Sequence, residues 1–214
     1  FDASKFLESG LIDEYLDEPE PRLSSGITFG INSLPQHIRF VSWLGDDDLL
    51  MPNSLTLVTK RILESDQPIM VFGGCLYIDH DGRPIWNQRS GQWAVPLLRF
   101  GPQLIPQPGS IFRRDAFESL GGLSNAYGWA FDFQLFLSLS KIGKAVYIPH
   151  TLANFRWHPG SLSVSRRRES VAEASSVRVS HLPGWLRPIS SLWEWPVKQA
   201  TYWAGIRLGK KLAK

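Results

Sequence analysis

The run Ile38-Arg39-Phe40-Val41-Ser42-Trp43-Leu44 is apolar and partly alternating, and it predicts a strand of a buried sheet. Pro52 suits the first position of a following helix, in which Leu55, Val58, Ile62 and Leu63 recur at helical spacing. Upstream, Ser4 caps a predicted helix through Leu7, Leu11 and Leu16, and the loop Asp17-Glu18-Pro19-Glu20-Pro21 follows it. Gly26 to Leu34 predicts a short helix or turn ending at Pro35. Downstream, Ile69 to Phe72 predicts a second buried strand. Leu76-Tyr77-Ile78 and Ile85-Trp86 then flank Asp79-His80-Asp81-Gly82-Arg83, which is hairpin chemistry. Residues 88–109, rich in Pro, Gly and Gln, predict a long irregular segment, a length that is often functional. Ser110 to Arg114 predicts a strand, and Asp115 to Leu120 a short helix stopped by Gly121 and Gly122. Phe131 to Ile142 predicts a helix with Phe131, Leu135, Leu139 and Ile142 on one face. Ala145 to Ile148 and Leu152 to Trp157 are the last predicted strands. Strands and helices alternate in this order, so the fold class is α/β.

Between the first strand and its helix lie Asp46, Asp47 and Asp48. Ligands in open α/β sheets bind outside the carboxyl ends of strands. Three like charges there raise the free energy unless something cancels them, and a divalent cation such as Mg²⁺ or Mn²⁺ is the simplest canceller. The plainer reading is a solvated acidic turn that caps the next helix. The aspartates of the Asp79–Arg83 turn serve the backbone and receive no catalytic role.

Length and composition change the picture in three ways. The 214 residues suit one domain, or one domain plus an appendage, and 43% hydrophobic with 20% charged residues describes a globular chain. A single cysteine, Cys75, excludes an internal disulfide and a cysteine zinc cluster, which fits a reducing, cytoplasmic setting. No run approaches a membrane span and no signal peptide is present. The first residue is Phe, so the expectation is a sequence that begins inside a longer protein.

Charge divides the chain unevenly. Residues 1–155 carry 12 Lys/Arg against 17 Asp/Glu, whereas residues 156–214 carry 11 against 3. The predicted organisation is a domain over 1–164 and a basic, Trp-rich helical tail over 165–214. That tail begins Arg166-Arg167-Arg168 and carries Trp185, Trp193, Trp195 and Trp203. Lysines beside tryptophans suit an anionic membrane surface, giving a peripheral protein on the inner face of the membrane. The alternative is a helical pair packed on the domain with its basic groups solvated. Nucleic acid is not an expected partner, because no module that reads RNA or DNA accompanies the charge.

Five segments, taken in order, resemble the family 2 glycosyltransferases. Gly26 to Asn32 looks like the segment before the family's central strand, and Trp43 to Pro52 is similar to its acidic metal-binding motif. Gln107 to Gly122 resembles the stretch in which a strand ending in two arginines leads to a double glycine. Phe131-Asp132-Phe133-Gln134-Leu135 looks like the segment of the catalytic base. Arg156-Trp157-His158-Pro159-Gly160-Ser161 is similar to the closing Arg-x-His segment. The resemblance runs from about Asp2 to Ser163. It implies the GT-A fold, a Rossmann-like mixed sheet flanked by helices, here with the basic helical C-terminal tail. Two departures are plain: the family's first strand is absent, and Phe131 stands where an acidic residue is expected before Asp132.

The resemblance implies inverting, metal-dependent transfer of a sugar from a nucleotide-sugar donor to a glycan or lipid-linked acceptor. It assigns Asp132 as general base on the acceptor hydroxyl. It places Asp2, Asn32, Asp46, Asp47 and Arg156 with the donor, and Asp48, Asp46 and His158 with the Mg²⁺ or Mn²⁺ ion. Gln107, Ser110 and Trp129 fall to the acceptor and its loop. Plainer readings stand beside these: Asp132 as a helix-dipole partner, His158 as a backbone-satisfied histidine, Arg156 as a strand-edge charge. Arg113 and Arg114 alternate across a strand, so only one of them can face the site. A non-catalytic, N-terminally truncated module and a metal-dependent phosphoesterase are the competing functions.

Overall fold

In the computed structural model, residues 2–18, 20–64, 66–157 and 166–212 are described. In chain order the elements are α1 (Ser4–Glu8), α2 (Leu23–Ser33), β1 (Phe40–Val41), β2 (Leu49–Leu50), α3 (Ser54–Ile62), β3 (Met70–Ile78), β4 (Pro84–Gln88) and α4 (Ala94–Leu97). There follow β5 (Ile111–Arg113), α5 (Arg114–Ser119), α6 (Phe131–Ile142), β6 (Ala145–Arg156), α7 (Arg167–His181), a 3-10 turn (Gly184–Ile189) and α8 (Ser191–Leu212). The fold is mixed α/β. The sheet runs β1-β5-β3-β6-β2, with β4 added to the far half of β3, and the β3–β6 pair is parallel while the others are antiparallel.

β3 is continuous and almost wholly buried, as its run of apolar and small residues requires. β6 joins two predicted strands into one, because a bulge absorbs Pro149 between Tyr147 and Thr151. Gly73 makes that bulge possible: a Cβ there would lie 2.6 Å from the His150 carbonyl oxygen. Short elements depart from expectation more. α1 stops at Glu8, followed by Gly10 at φ 67°, and Leu11 is exposed rather than packed on a longer helix. Asp2, not Ser4, serves its first turn, accepting the Ser4 amide at 3.0 Å.

The helix after the acidic run starts at Ser54, not at Pro52. Asn53 takes a left-handed φ of 63°, and the Ser54 amide turns back to the Met51 carbonyl at 3.1 Å. The unpredicted β2 separates the aspartates from α3, whose first turn holds no acidic residue. The acidic run therefore does not cap this helix.

α6 is buried on more sides than one apolar stripe requires. Phe131, Phe133, Leu135, Phe136, Leu137 and Leu139 are all buried, whereas Ile142 is exposed. The second cover is the tail. Val177 of α7 belongs to the same apolar cluster, and the Arg178 guanidinium lies 5.9 Å from the Phe133 ring centroid. Arg178 also donates to both Glu194 carboxylate oxygens, at 2.8 and 2.7 Å, and to the Gly101 carbonyl at 3.2 Å. Ser175 adds a 2.5 Å bond to the same carboxylate. The tail is thus a helical pair locked to the domain by a buried, fully bonded ion pair.

Candidate active site

Residues 42–48 carry the chain from β1 at one edge of the sheet to β2 at the other. The aspartates sit on this crossover. Asp46 is exposed, Asp47 half-buried and Asp48 only 7% exposed. Asp48 Oδ1 accepts the Arg156 amide at 2.9 Å, while the Arg156 side chain donates from Nε to the Asp47 carbonyl at 3.0 Å. Arg156 Nη1 reaches the Asp79 and His80 carbonyls at 2.9 and 2.8 Å, so the β3–β4 turn and the acidic crossover are pinned by one guanidinium. Burial pushes the Asp48 carboxyl up to about 6, with Asp47 and Asp46 adding to the rise and the Arg156 amide and charge opposing it.

A divalent cation fits this donor set chemically. A Cβ at Gly45 would meet Asp47 Oδ1 at 3.0 Å and Asp48 Oδ2 at 3.1 Å, so two carboxylate oxygens of different residues turn toward one spot that glycine leaves open. Hard oxygens of that kind suit Mg²⁺ or Mn²⁺. Asp46 does not join them in a three-ligand cage. Among the described residues the three-residue group with ligand atoms within 4.8 Å is Asp79, His80 and Asp81. There Asp79 Oδ1 already accepts the Asp81 and Arg83 amides at 2.9 and 2.8 Å, as a hairpin turn requires.

Asp132 lies in the first turn of α6 and lines a cavity of about 310 Å³. Gln103 Nε2 donates to Asp132 Oδ2 at 2.6 Å, and the Phe133 amide donates to Oδ1 at 2.7 Å. Burial raises its carboxyl pKa, and these two bonds act against the rise. The loop that delivers Asp132 is fastened by the tail: Glu173 of α7 accepts the Gly128, Trp129 and Ala130 amides at 2.9, 2.8 and 3.1 Å. Trp129 and Gln107 line the same cavity, and Gln107 Nε2 donates to the Trp43 carbonyl at 2.6 Å, tying the cavity wall to the start of the acidic crossover. The Trp43 ring in turn stands 6.4 Å from that of Phe131.

Asp48 is not in the cavity wall, but it is close behind it. The thiol of Cys75, a lining residue, is pushed up to about 12 by burial and then by the Asp48 charge. Tyr77, also lining, has its phenol raised by burial, with both Asp132 and Asp48 contributing. The two acids therefore act on one neighbourhood.

Other expected residues are placed elsewhere. Asn32 is exposed at the end of α2, and its carbonyl faces Arg114 at 3.4 Å, beside the start of β1 rather than its end. Asp2 is exposed and engaged with Ser4. Ser110 is 1% exposed and its hydroxyl donates to the Pro106 carbonyl at 2.5 Å, so its hydroxyl proton is engaged in holding a loop. Arg113 and Arg114 flank a groove of about 390 Å³ at the far end of β1, already paired with Asp115 and Glu118 at 2.5 and 2.7 Å. His158 lies outside the described residues. Sequence reasoning missed Gln103 and Glu173, whose partners lie 29 and 43 to 45 residues away, and nothing in their local pattern marks them.

No protein-family model matches the chain, and a search of curated proteins finds no match. Among the described residues no helix is long and apolar enough to cross a membrane.

Proposed function

We propose that the chain is a GT-A-type domain that transfers a sugar from a nucleotide-sugar donor to a glycan or lipid-linked hydroxyl, with Asp132 as general base. The observation that carries this reading is the Asp132 carboxyl itself. It is desolvated, oriented at both oxygens and set in a cavity whose lining residues Cys75 and Tyr77 also feel the Asp48 charge. A hydroxyl is a poor nucleophile, and a positioned base contributes on the order of 10²–10⁴-fold. Each Asp132 oxygen accepts one bond and retains a lone pair for the acceptor proton. The raised pKa makes it a stronger base than a solvated aspartate.

Asp47 and Asp48 would hold the divalent ion, which when bound offsets negative charge on a diphosphate leaving group. Arg156 fixes the crossover that presents them. The outward aromatics of the tail support a second element of the proposal: the basic tail rests on an anionic bilayer, where a lipid-linked acceptor would be found.

The test is nucleotide release from a panel of nucleotide-sugars, with and without Mn²⁺, for the wild type and Asp132→Asn. Expected are metal-stimulated release by the wild type and a loss on the order of 10²–10⁴-fold in the variant, with nucleotide affinity kept. Wild-type turnover by Asp132→Asn removes the base assignment. Absence of release with every donor removes the transferase reading.

A further inference from the structure

The wall of the Asp132 cavity contributed by the tail contains Arg167, Ser170 and Val171 of α7 and Thr201 and Gly205 of α8. Arg167 stands out in it. Its guanidinium lies 5.4 Å from the Trp157 ring centroid, and its Nη1 is buried with no hydrogen-bond partner. The indole Nε1 of Trp157, another lining residue, is also buried and unpartnered. Asp132 is the one carboxylate among the lining residues, and no ion pair joins it to Arg167.

Gly205 is shaped to this guanidinium. A Cβ there would collide with Arg167 Nη1 and stand 2.8 Å from Cζ. Arg167 as a whole is only partly buried, but a buried guanidinium donor left without an acceptor costs folding free energy, and stacking on an indole offsets only part of that cost. Two buried donors without a hydrogen-bond partner, Arg167 Nη1 and Trp157 Nε1, on residues that line one cavity are what an anion site looks like before its ligand arrives.

We propose that Arg167 and Trp157 form a subsite for an anionic oxygen group, a phosphate carried by the acceptor, in the cavity that Asp132 also lines. The acceptor assignment rests on the transferase reading above; the anion site does not. The donor's diphosphate belongs with Asp47 and Asp48, which lie outside this wall. An acceptor held by its phosphate at Arg167 would have its hydroxyl in the cavity that Asp132 lines. Such a phosphate is found on a phosphorylated sugar or at the head of a lipid phosphate.

The experiment titrates the full chain with inorganic phosphate by calorimetry or NMR, without donor or metal. Expected is saturable binding that weakens about 10-fold or more in Arg167→Met, as loss of a charge-assisted bond implies. Arg167→Met should leave Tm unchanged or slightly raised in phosphate-free buffer, since it removes a buried donor that has no partner. Gly205→Ala supplies a second variant. Alanine favours the helix but displaces the guanidinium, so phosphate should bind several-fold more weakly while Tm holds.

Phosphate affinity equal to wild type in both variants overturns the site, and so does a fall in Tm for Arg167→Met. Repeating the titration with nucleoside diphosphate and Mn²⁺ saturating separates the sources. Undiminished phosphate binding supports an acceptor subsite, and competition overturns it in favour of the donor. A water-soluble sugar phosphate and a short-chain lipid phosphate then distinguish the two acceptor forms by which gains affinity over inorganic phosphate. Phosphate binding that survives when no donor is turned over would fell the transferase reading and leave the anion site standing.

Discussion

Burial holds the Asp48 carboxyl at about 6 while the unfolded chain titrates near 3.8, and the sign of the consequence follows. A carboxyl whose folded pKa is raised contributes full stability below the unfolded value and loses it as pH rises through the folded one. Without divalent cation, Asp48→Asn should therefore match the wild type near pH 4 and exceed it by about 2–3 kcal/mol at pH 8. The Arg156 amide bond survives in the variant, because an amide oxygen accepts it as well. Urea denaturation in EDTA at the two pH values measures the difference; parallel pH profiles would mean that Asp48 is not held against its charge. Adding Mn²⁺ should stabilise the wild type above pH 6 and leave the variant unmoved. That this triplet follows a strand was legible in the sequence. Its internal division was not, because one buried and one exposed aspartate read alike in a run of three. Ser110 and Asn32 illustrate the same limit. Their positions in familiar-looking segments say nothing about which way a hydroxyl or an amide turns.

Helices were readable because their apolar spacing is set by local geometry, and α3, α5 and α6 lie close to expectation. β3 instead joins into one strand the separately predicted Ile69–Phe72 and Leu76–Ile78, because Gly74 and Cys75 stay in the ladder. The two-residue β2 was not, since Leu49-Leu50 is indistinguishable from the apolar entry to a helix. Least visible was the dependence of α6 on the tail. Glu173 holds the three amides ahead of Phe131, and no periodicity links it to residues more than forty positions away. On the proposed transferase reading it is a positioning residue for Asp132. Glu173→Ala should cost about 1–3 kcal/mol and lower kcat while leaving nucleotide affinity and the pH of half-maximal rate in place. A wild-type kcat in a measurably destabilised variant would make Glu173 purely structural. Arg178 tests the other fastening. Arg178→Ala leaves the Glu194 carboxylate buried without its partner and should cost about 3–5 kcal/mol, read as a drop in Tm.

The whole molecule presents two unlike surfaces. Residues 1–155 are net acidic, and residues 156–214 carry 11 Lys/Arg against 3 Asp/Glu. α8 turns Glu194, Thr201 and Gly205 toward the domain and leaves Leu192, Trp195 and Trp203 exposed at helical spacing on the opposite side, with Arg207 one turn beyond. Trp185, 75% exposed in the preceding 3-10 turn, adds to the same region of chain. These rings are more than half in solvent, although Trp203 also meets the Tyr202 ring at 5.8 Å. Tryptophan beside basic residues suits the headgroup level of an anionic bilayer, where each Lys or Arg near the surface adds about 1 kcal/mol of attraction. The chain should therefore co-sediment with vesicles containing anionic lipid, far less with zwitterionic ones, and detach as salt rises and screening shortens the reach of the charges. Trp195→Ser with Trp203→Ser should release it from the vesicles at low salt without moving Tm, because both rings are largely in solvent. Protein left in the supernatant with anionic vesicles at low salt would mean that the tail only braces the Asp132 loop. Retention of the double variant on those vesicles would assign the attraction to charge alone.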